Sequence, residues 1–224
     1  MKEIIIFGTG KIAEAVHYYL KNESDLKVVA ATVDKEYMPD EDFVGVPVVP
    51  FEEVQKQYPP DQYGMFVALG YHELNTLRAA KLKEAKEKGY QIVSYVDKNS
   101  GVLKDTEYGE NCFIMHNVAI HPKVKFGNNV FVWSGAVICH HTIIEDNCWL
   151  TAGSNIMGGV VLGENTFVAG NAMISHSVTV GKRCFIGANT LVTKDLKDEQ
   201  VVVSNSTPVF RLNSKQFLKM STFS

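Results

Sequence analysis

A strict six-residue period is the feature that most limits what this chain can fold into. From Ile114 onward a large apolar residue recurs at every sixth place: Ile114, Ile120, Phe126, Val132 and Ile138, and so on through Ile174, Val180, Ile186 and Val192. That makes fourteen consecutive positions without a slip. Apolar residues are about half of an average composition, so such a run arises by chance about once in ten thousand registers or less. Two residues before each of them stands a small or β-branched residue, from Cys112 and Val118 to Cys184 and Thr190. A helix face repeats every 3.6 residues and cannot produce this pattern. Short strands, three to a turn, can, and each coil then takes about 18 residues. Positions two apart in a strand share a face, so both sets should point inward. About five coils fit between Tyr108 and Thr193. Gly109, Gly127, Gly163, Gly181 and Gly187 each follow a core position. They are expected to ease the corners by adopting unusual φ.

A different grammar precedes the repeat. Glu3 to Gly8 reads as a short buried strand, followed by Gly8-Thr9-Gly10-Lys11-Ile12-Ala13, a GxGxxA. Apolar residues then recur at helical spacing from Lys11 to Lys21, and a second strand from Leu26 to Val33 ends in Asp34. Strand, glycine turn, helix, strand and acid come in the order of a Rossmann-like unit. Glycines let the backbone approach a diphosphate, and the free N–H groups at the helix start attract it. Asp34 can hydrogen-bond a ribose hydroxyl or a base N–H. Further strands are expected at Val44 to Val49, Met65 to Leu69 and Gln91 to Val96, with helices at Phe51 to Tyr58 and His72 to Lys88. The motif also fits a tight turn with no ligand. If a ligand binds, the motif does not choose between NAD and a nucleotide-sugar. The domain is short for an oxidoreductase and no second catalytic α/β domain follows, which favours the nucleotide-sugar. The expected organisation is an α/β domain over 1–100, an all-β solenoid over 101–206 and a tail over 207–224. The tail should form a short helix from Phe210 to Phe223 that caps the last coil.

Composition narrows the partners. The formal net charge of -3 offers no basic field for nucleic acid. No stretch of about 20 apolar residues exists to insert in a membrane. The apolar run at Ile4-Ile5-Ile6 is too short for an export signal, so the cytoplasm is the expected compartment. The cysteines Cys112, Cys139, Cys148 and Cys184 form no CxxC pair. Three of them occupy inward small positions and are expected to be buried and inert.

The 18-residue coil turns sequence into columns. His140 lies two after the core residue Ile138; one coil on is Gly158, and one further is His176. An outward histidine can serve as a general base, since imidazole titrates near neutrality. Gly158 and Gly159 leave room for a thioester beside it, and a backbone N–H there can stabilise an oxyanion. His116 and His121 read as solvated corners. A zinc site would need a third ligand.

The glycine turn, Asp34, Gly70 after a strand and then uninterrupted hexapeptides together resemble the NeuD/PglD-like sugar acyltransferases. The resemblance covers essentially the whole chain. It implies that the solenoid is a left-handed parallel β-helix and that the protein is a homotrimer with sites between neighbouring prisms. It further implies transfer from an acyl-CoA, acetyl-CoA first, to a nucleotide-linked amino sugar for bacterial surface glycans such as lipopolysaccharide or O-antigen. His140 becomes the catalytic base, and the Gly158 amide receives the thioester carbonyl. Coenzyme A would run past Trp149, Gly158, Gly159, Gly170 and Ala188. The nucleotide-sugar would lie on Gly8, Thr9, Gly10, Lys11, Asp34, Lys35 and Gly70. O-acylation of a sugar or sialic acid uses the same parts, and a non-catalytic nucleotide-sugar-binding protein would use the first domain alone. The zinc-binding gamma-class carbonic anhydrases share the prism, but where their third histidine is expected this chain has Gly181. Two departures from the acyltransferase pattern stand out. His141 follows the base where many members have an acid, and Asn205-Ser206-Thr207-Pro208-Val209 replaces a Gly-x-Pro-Ala turn.

Overall fold

The computed structural model describes residues 2–220. Its first part is a five-stranded parallel sheet: β1 (Glu3–Phe7), β2 (Lys27–Val33), β3 (Val48–Pro50), β4 (Gly64–Val67) and β5 (Gln91–Ile92). The spatial order is β3-β2-β1-β4-β5, so the direction of winding reverses between β1 and β4. The helices are α1 (Lys11–Glu23), α2 (Val54–Gln57) and α3 (Thr76–Glu87). Each face of the sheet buries its own core, one around Ile4, Ile6 and Phe66, the other around Ile5, Phe51 and Met65.

Several boundaries differ from the expected ones. Of Val44 to Val49, only the end pairs with β2; Val44 and Gly45 have left-handed φ of 44° and 84° and form a tight turn bridged by Phe43 and Val46. The α2 helix shrinks to Val54–Gln57. The α3 helix starts at Thr76 because Glu73, Leu74 and Asn75 all have φ between 49° and 67°. Gln91 to Val96 is two strands rather than one: Gln91–Ile92 pairs with β4, whereas Tyr95–Val96 pairs with Phe113–Ile114. The second sheet system therefore begins inside the stretch expected to be the first domain.

From Tyr95 the chain is a parallel β-helix with three faces of two-residue strands. The first face carries Tyr95–Val96, Phe113–Ile114, Phe131–Val132, Trp149–Leu150, Phe167–Val168, Phe185–Ile186 and Val201–Val202. The second runs from Ala119–Ile120 to Leu191–Val192, and the third from Lys125–Phe126 to Thr179–Val180. Partners are 18 residues apart, as in Val137 with Asn155 and Ile138 with Ile156. The large and the small series both point inward and form one continuous core. Each coil alone could not bury its apolar edge; stacking does.

The glycines after the core positions work differently from expectation. Gly109, Gly127, Gly163, Gly181 and Gly187 do not adopt positive φ. They are needed because the next coil passes so close: a Cβ on Gly163 would lie 2.6 Å from the carbonyl carbon of Gly181. Asparagine is the commonest residue at the left-handed corners, as at Asn111, Asn129, Asn147 and Asn165. Asparagine tolerates that conformation because its short side chain can bond locally.

On the first face the outward positions are Tyr95, Phe113, Phe131, Trp149, Phe167 and Phe185, one aromatic per coil. They pack against Ala13, Val16, Leu20 and Phe66 of the first domain. After the last strand comes α4 (Ser214–Met220), none of whose residues is buried. In the single chain it does not cap the open coil, and the final residues of the expected helix lie outside the described residues.

Candidate active site

His140 stands at the corner between the second and third faces, and the coil above brings Gly158 directly over it. The stacking is recorded by the backbone: Gly159 N–H donates to the His140 carbonyl at 2.9 Å, and His141 N–H donates to the Pro122 carbonyl at 3.2 Å. The ladder skips the Gly158 N–H, which has no partner among the described residues. A Cβ added at Gly158 would lie 2.6 Å from Cε1 and 2.8 Å from Nε2 of His140. Any side chain there would displace the imidazole. Gly159 has φ 74°, a left-handed corner. His140 is exposed, and its Nδ1 lies 3.1 Å from Nδ1 of His141. His176 is one coil above Gly158 and exposed. Among the described residues no three His, Cys, Asp or Glu side chains converge on a common point that could hold a metal.

The proposed coenzyme contacts separate. Gly170 and Ala188 occupy the corner between the first and second faces, stacked through Asn189 N–H to the Gly170 carbonyl at 3.0 Å. Ala188 lines a groove of about 750 Å³ with Gly187, Asn189 and Ser204 to Thr207. Ser204 Oγ donates to the Ala188 carbonyl at 2.8 Å, so the segment with the altered proline turn forms one wall. This groove lies across the second face from His140. Trp149 is on neither corner and is a correction. It is 2% exposed, stacked on Phe131 with 5.1 Å between ring centroids and covered by Tyr71. It belongs to the outward aromatic column of the first face and holds the two domains together.

In the first domain Gly8, Thr9, Gly10 and Asp34 line one pocket of about 570 Å³, with Tyr37 and Lys81. It opens at the C-terminal ends of β1 and β2, beside the reversal of strand order, where α/β sheets bind ligands. Gly8 has φ 118°, and a Cβ there would meet the Ala68 carbonyl at 2.9 Å. Gly10 caps α1 with no side-chain hydrogen bond, which leaves the first-turn N–H groups available. Lys35 lines the adjoining cleft, and its N–H bonds the Glu52 carboxylate. Lys11 is exposed and Gly70 packs near Ile12; neither is among the residues lining the pocket.

Residue-by-residue reading missed two elements of this site. Lys81 of α3 donates to Asp34 at 2.8 Å and to Glu84 at 3.0 Å. Burial alone would lower its pKa, but the two carboxylates outweigh burial and raise it. Nothing local in the sequence links Lys81 to Asp34. The second element is an asparagine ladder with visible 18-residue spacing. Asn111 donates to Asn129 at 2.7 Å, Asn129 to Asn147 at 2.8 Å and Asn147 to Asn165 at 3.3 Å. Asn111 also exchanges two hydrogen bonds with the backbone of Val67, at the end of β4. Fully buried Arg78 donates to Asn129 Oδ1 and Asn75 Oδ1, both at 2.9 Å, and lies 4.3 Å over the Phe131 ring. The ladder therefore ties the end of β4 and the start of α3 to the prism.

Comparison with known proteins agrees with this architecture. The bacterial transferase hexapeptide repeat matches residues 109–140, 141–176 and 162–194. Its match covers the prism only. No curated protein matches the chain in sequence. Among solved structures, a His-to-Asn variant of perosamine N-acetyltransferase from Caulobacter crescentus, in complex with CoA and GDP-perosamine, superposes with a TM-score of 0.82. It is 26% identical over 90% of this chain and 93% of its own. The acetyltransferase domain of PglB from Neisseria gonorrhoeae, in complex with acetyl coenzyme A, gives a TM-score of 0.81 at 17% identity, covering 93% of this chain and 99% of its own. WeeI from Acinetobacter baumannii gives 0.69 at 17% identity, covering 90% and 97%. The last two share the fold.

Over residues 109–194 the repeat and the prism it forms are those of the bacterial transferase hexapeptide model. Together with the likeness to a CoA-bound acetyltransferase at 26% identity, they support an acyltransferase.

Proposed function

We propose that the protein transfers an acetyl group from acetyl-CoA to the amine of a nucleotide-linked sugar, with His140 as general base. The observation that carries this reading is the contact between the His140 ring and Gly158. The His140 ring lies directly against a residue that has no side chain, beside an N–H that the coil ladder leaves free among the described residues.

The chemistry is a direct transfer. The amine nitrogen attacks the thioester carbonyl carbon while His140 Nε2 takes the amine proton. The Gly158 N–H stabilises the oxyanion that develops. The C–S bond then breaks, and the proton passes from His140 to the leaving sulfur. An amide and a free thiol result, with no covalent enzyme intermediate and no nucleophilic cysteine. The buried thiols suit that absence. Burial pushes Cys112 up to about 11 and Cys148 up to about 12.

The first domain, which we read as Rossmann-like, would hold the nucleotide on Gly8, Thr9 and Gly10, with the clamped Asp34 at its ribose or base. Lys11, Lys35 and Gly70 would serve at the rim. The relative crystallised with CoA and GDP-perosamine supports both co-substrates. Coenzyme A would follow the groove lined by Ala188, past Gly170 at the same corner, toward Gly158 and Gly159. That groove and His140 lie on different corners of one prism, so a site containing both needs two chains side by side. This supports an assembly of neighbouring prisms, which we read as a homotrimer. No helix among the described residues is long and apolar enough to cross a membrane.

The test is turnover with acetyl-CoA and a panel of UDP-, dTDP- and GDP-linked amino sugars, read by mass spectrometry. One panel member should gain an acetyl group, and His140→Asn should cut kcat by about 10² or more while both ligands still bind. Unchanged turnover in the variant would remove His140 from its role.

A further inference from the structure

We propose that His141 positions the base, taking the place of a carboxylate: its Nδ1 accepts a hydrogen bond from Nδ1–H of His140. The inference rests on His140 being the base and adds what orients it.

The two Nδ1 atoms are 3.1 Å apart, and the rings stand edge to face, 82° between planes. Two imidazole nitrogens at that distance share one proton, so the neutral pair has two arrangements. In one, His140 donates from Nδ1 and its Nε2 carries a lone pair. In the other, His141 donates and the proton of His140 sits on Nε2, where it cannot accept one from an amine. Only the first arrangement makes a base of the nitrogen that faces Gly158. Among the described residues no carboxylate pairs with either ring. Among the described residues His141 is thus the only group hydrogen-bonded to the far nitrogen of His140.

The backbone builds this contact. His141 occupies a left-handed corner with φ 60°, and its N–H is held by the Pro122 carbonyl. When His140 Nε2 takes the amine proton, its Nδ1–H bond to His141 becomes charge-assisted and stabilises the imidazolium. The proton then leaves Nε2 for the thiolate, and the pair returns to its starting tautomers. No proton needs to move onto His141.

The test uses the full chain and four variants. His141→Gly removes the ring without backbone strain, since Gly159 already occupies the same corner one coil on with φ 74°. It should lower kcat by about tenfold or more and leave both KM values within about twofold. His141→Glu, an acceptor, should restore most of kcat; His141→Lys, a donor only, should not. Unchanged kcat in His141→Gly beside an inactive His140→Asn would overturn this inference and leave the base in place. An active His140→Asn would instead overturn the base assignment itself. A substrate-independent arm reads the tautomers by 15N–1H correlation of histidine-labelled protein, with His140 and His141 assigned from their variants. His140 should carry its proton on Nδ1 and His141 on Nε2. A proton on Nε2 of neutral His140 would sink the proposal.

Discussion

Two corners of the same prism have opposite fates. At the corner between the third and first faces, asparagines stack coil on coil, and Arg78 and the end of β4 close over them. At the corner between the second and third faces, the column reads Pro122, His140, Gly158 and His176; the proline and both histidines are exposed, and Gly158 is buried between the histidines. The inward residues are equivalent in both places; only the outward ones differ. The repeat thus supplies a rigid lattice, and the outward column decides whether an edge becomes a joint or a site. The joint is polar and buried, so nearly all its donors and acceptors are matched, with Asn75 Nδ2 the exception among those described. The site is exposed and needs emptiness more than contacts.

The sharpest way to break the comparison is at the joint. Arg78→Ala should cost about 3 kcal/mol or more of stability, because it strands Asn129 and Asn75 and opens space against Phe131. Chemical denaturation checks this, and a change below about 0.5 kcal/mol would mean that the domains do not depend on the joint. At the open corner, Gly158→Ala should leave the melting curve nearly untouched yet lower kcat by about tenfold to a hundredfold. Its Cβ must displace the His140 ring, and steady-state kinetics with a crystal structure would show both effects. A smaller effect is expected from Asn147→Ala, about 1 kcal/mol for one interrupted rung of the ladder. Its neighbours Asn129 and Asn165 keep other partners, so loss on the scale of Arg78→Ala would show that the ladder acts as a unit.

The smallest effect concerns Asp97, buried where the first face begins. Burial pushes its carboxyl up, but the Asn99 N–H, the Tyr95 hydroxyl and His116 outweigh that and hold it below its ordinary value. Such a group adds stability that is complete above the unfolded carboxylate range near 4 and fades as pH falls through the lower folded value. Asp97→Asn should therefore be less stable than the parent at neutral pH, and the gap should narrow in acid. A gap that stays constant down to pH 2 would assign the loss to packing instead.

Much of this was legible along the chain. The six-residue period announced the coil, its 18-residue step placed His140 beneath Gly158, and GxGxxA with Asp34 located the pocket. These features are local or strictly periodic, so one dimension suffices to read them. Trp149 lies away from the groove because it belongs to the column Phe131, Trp149, Phe167; an aromatic at every eighteenth residue marks a covered face. The role of the corner glycines was misjudged, since a close approach by the next coil looks in sequence like a need for unusual φ.

Sequence alone determined the coil length, the inward core and the residues of each column, because repetition ties position to geometry. Only tertiary structure decided that Lys81 clamps Asp34 and that His141 turns its ring onto His140. Those pairings join segments through packing and side-chain rotation, and neither leaves a period in the chain. The same holds for the two corners whose parts a single prism keeps apart: their separation is a fact of three dimensions, set by the width of a face.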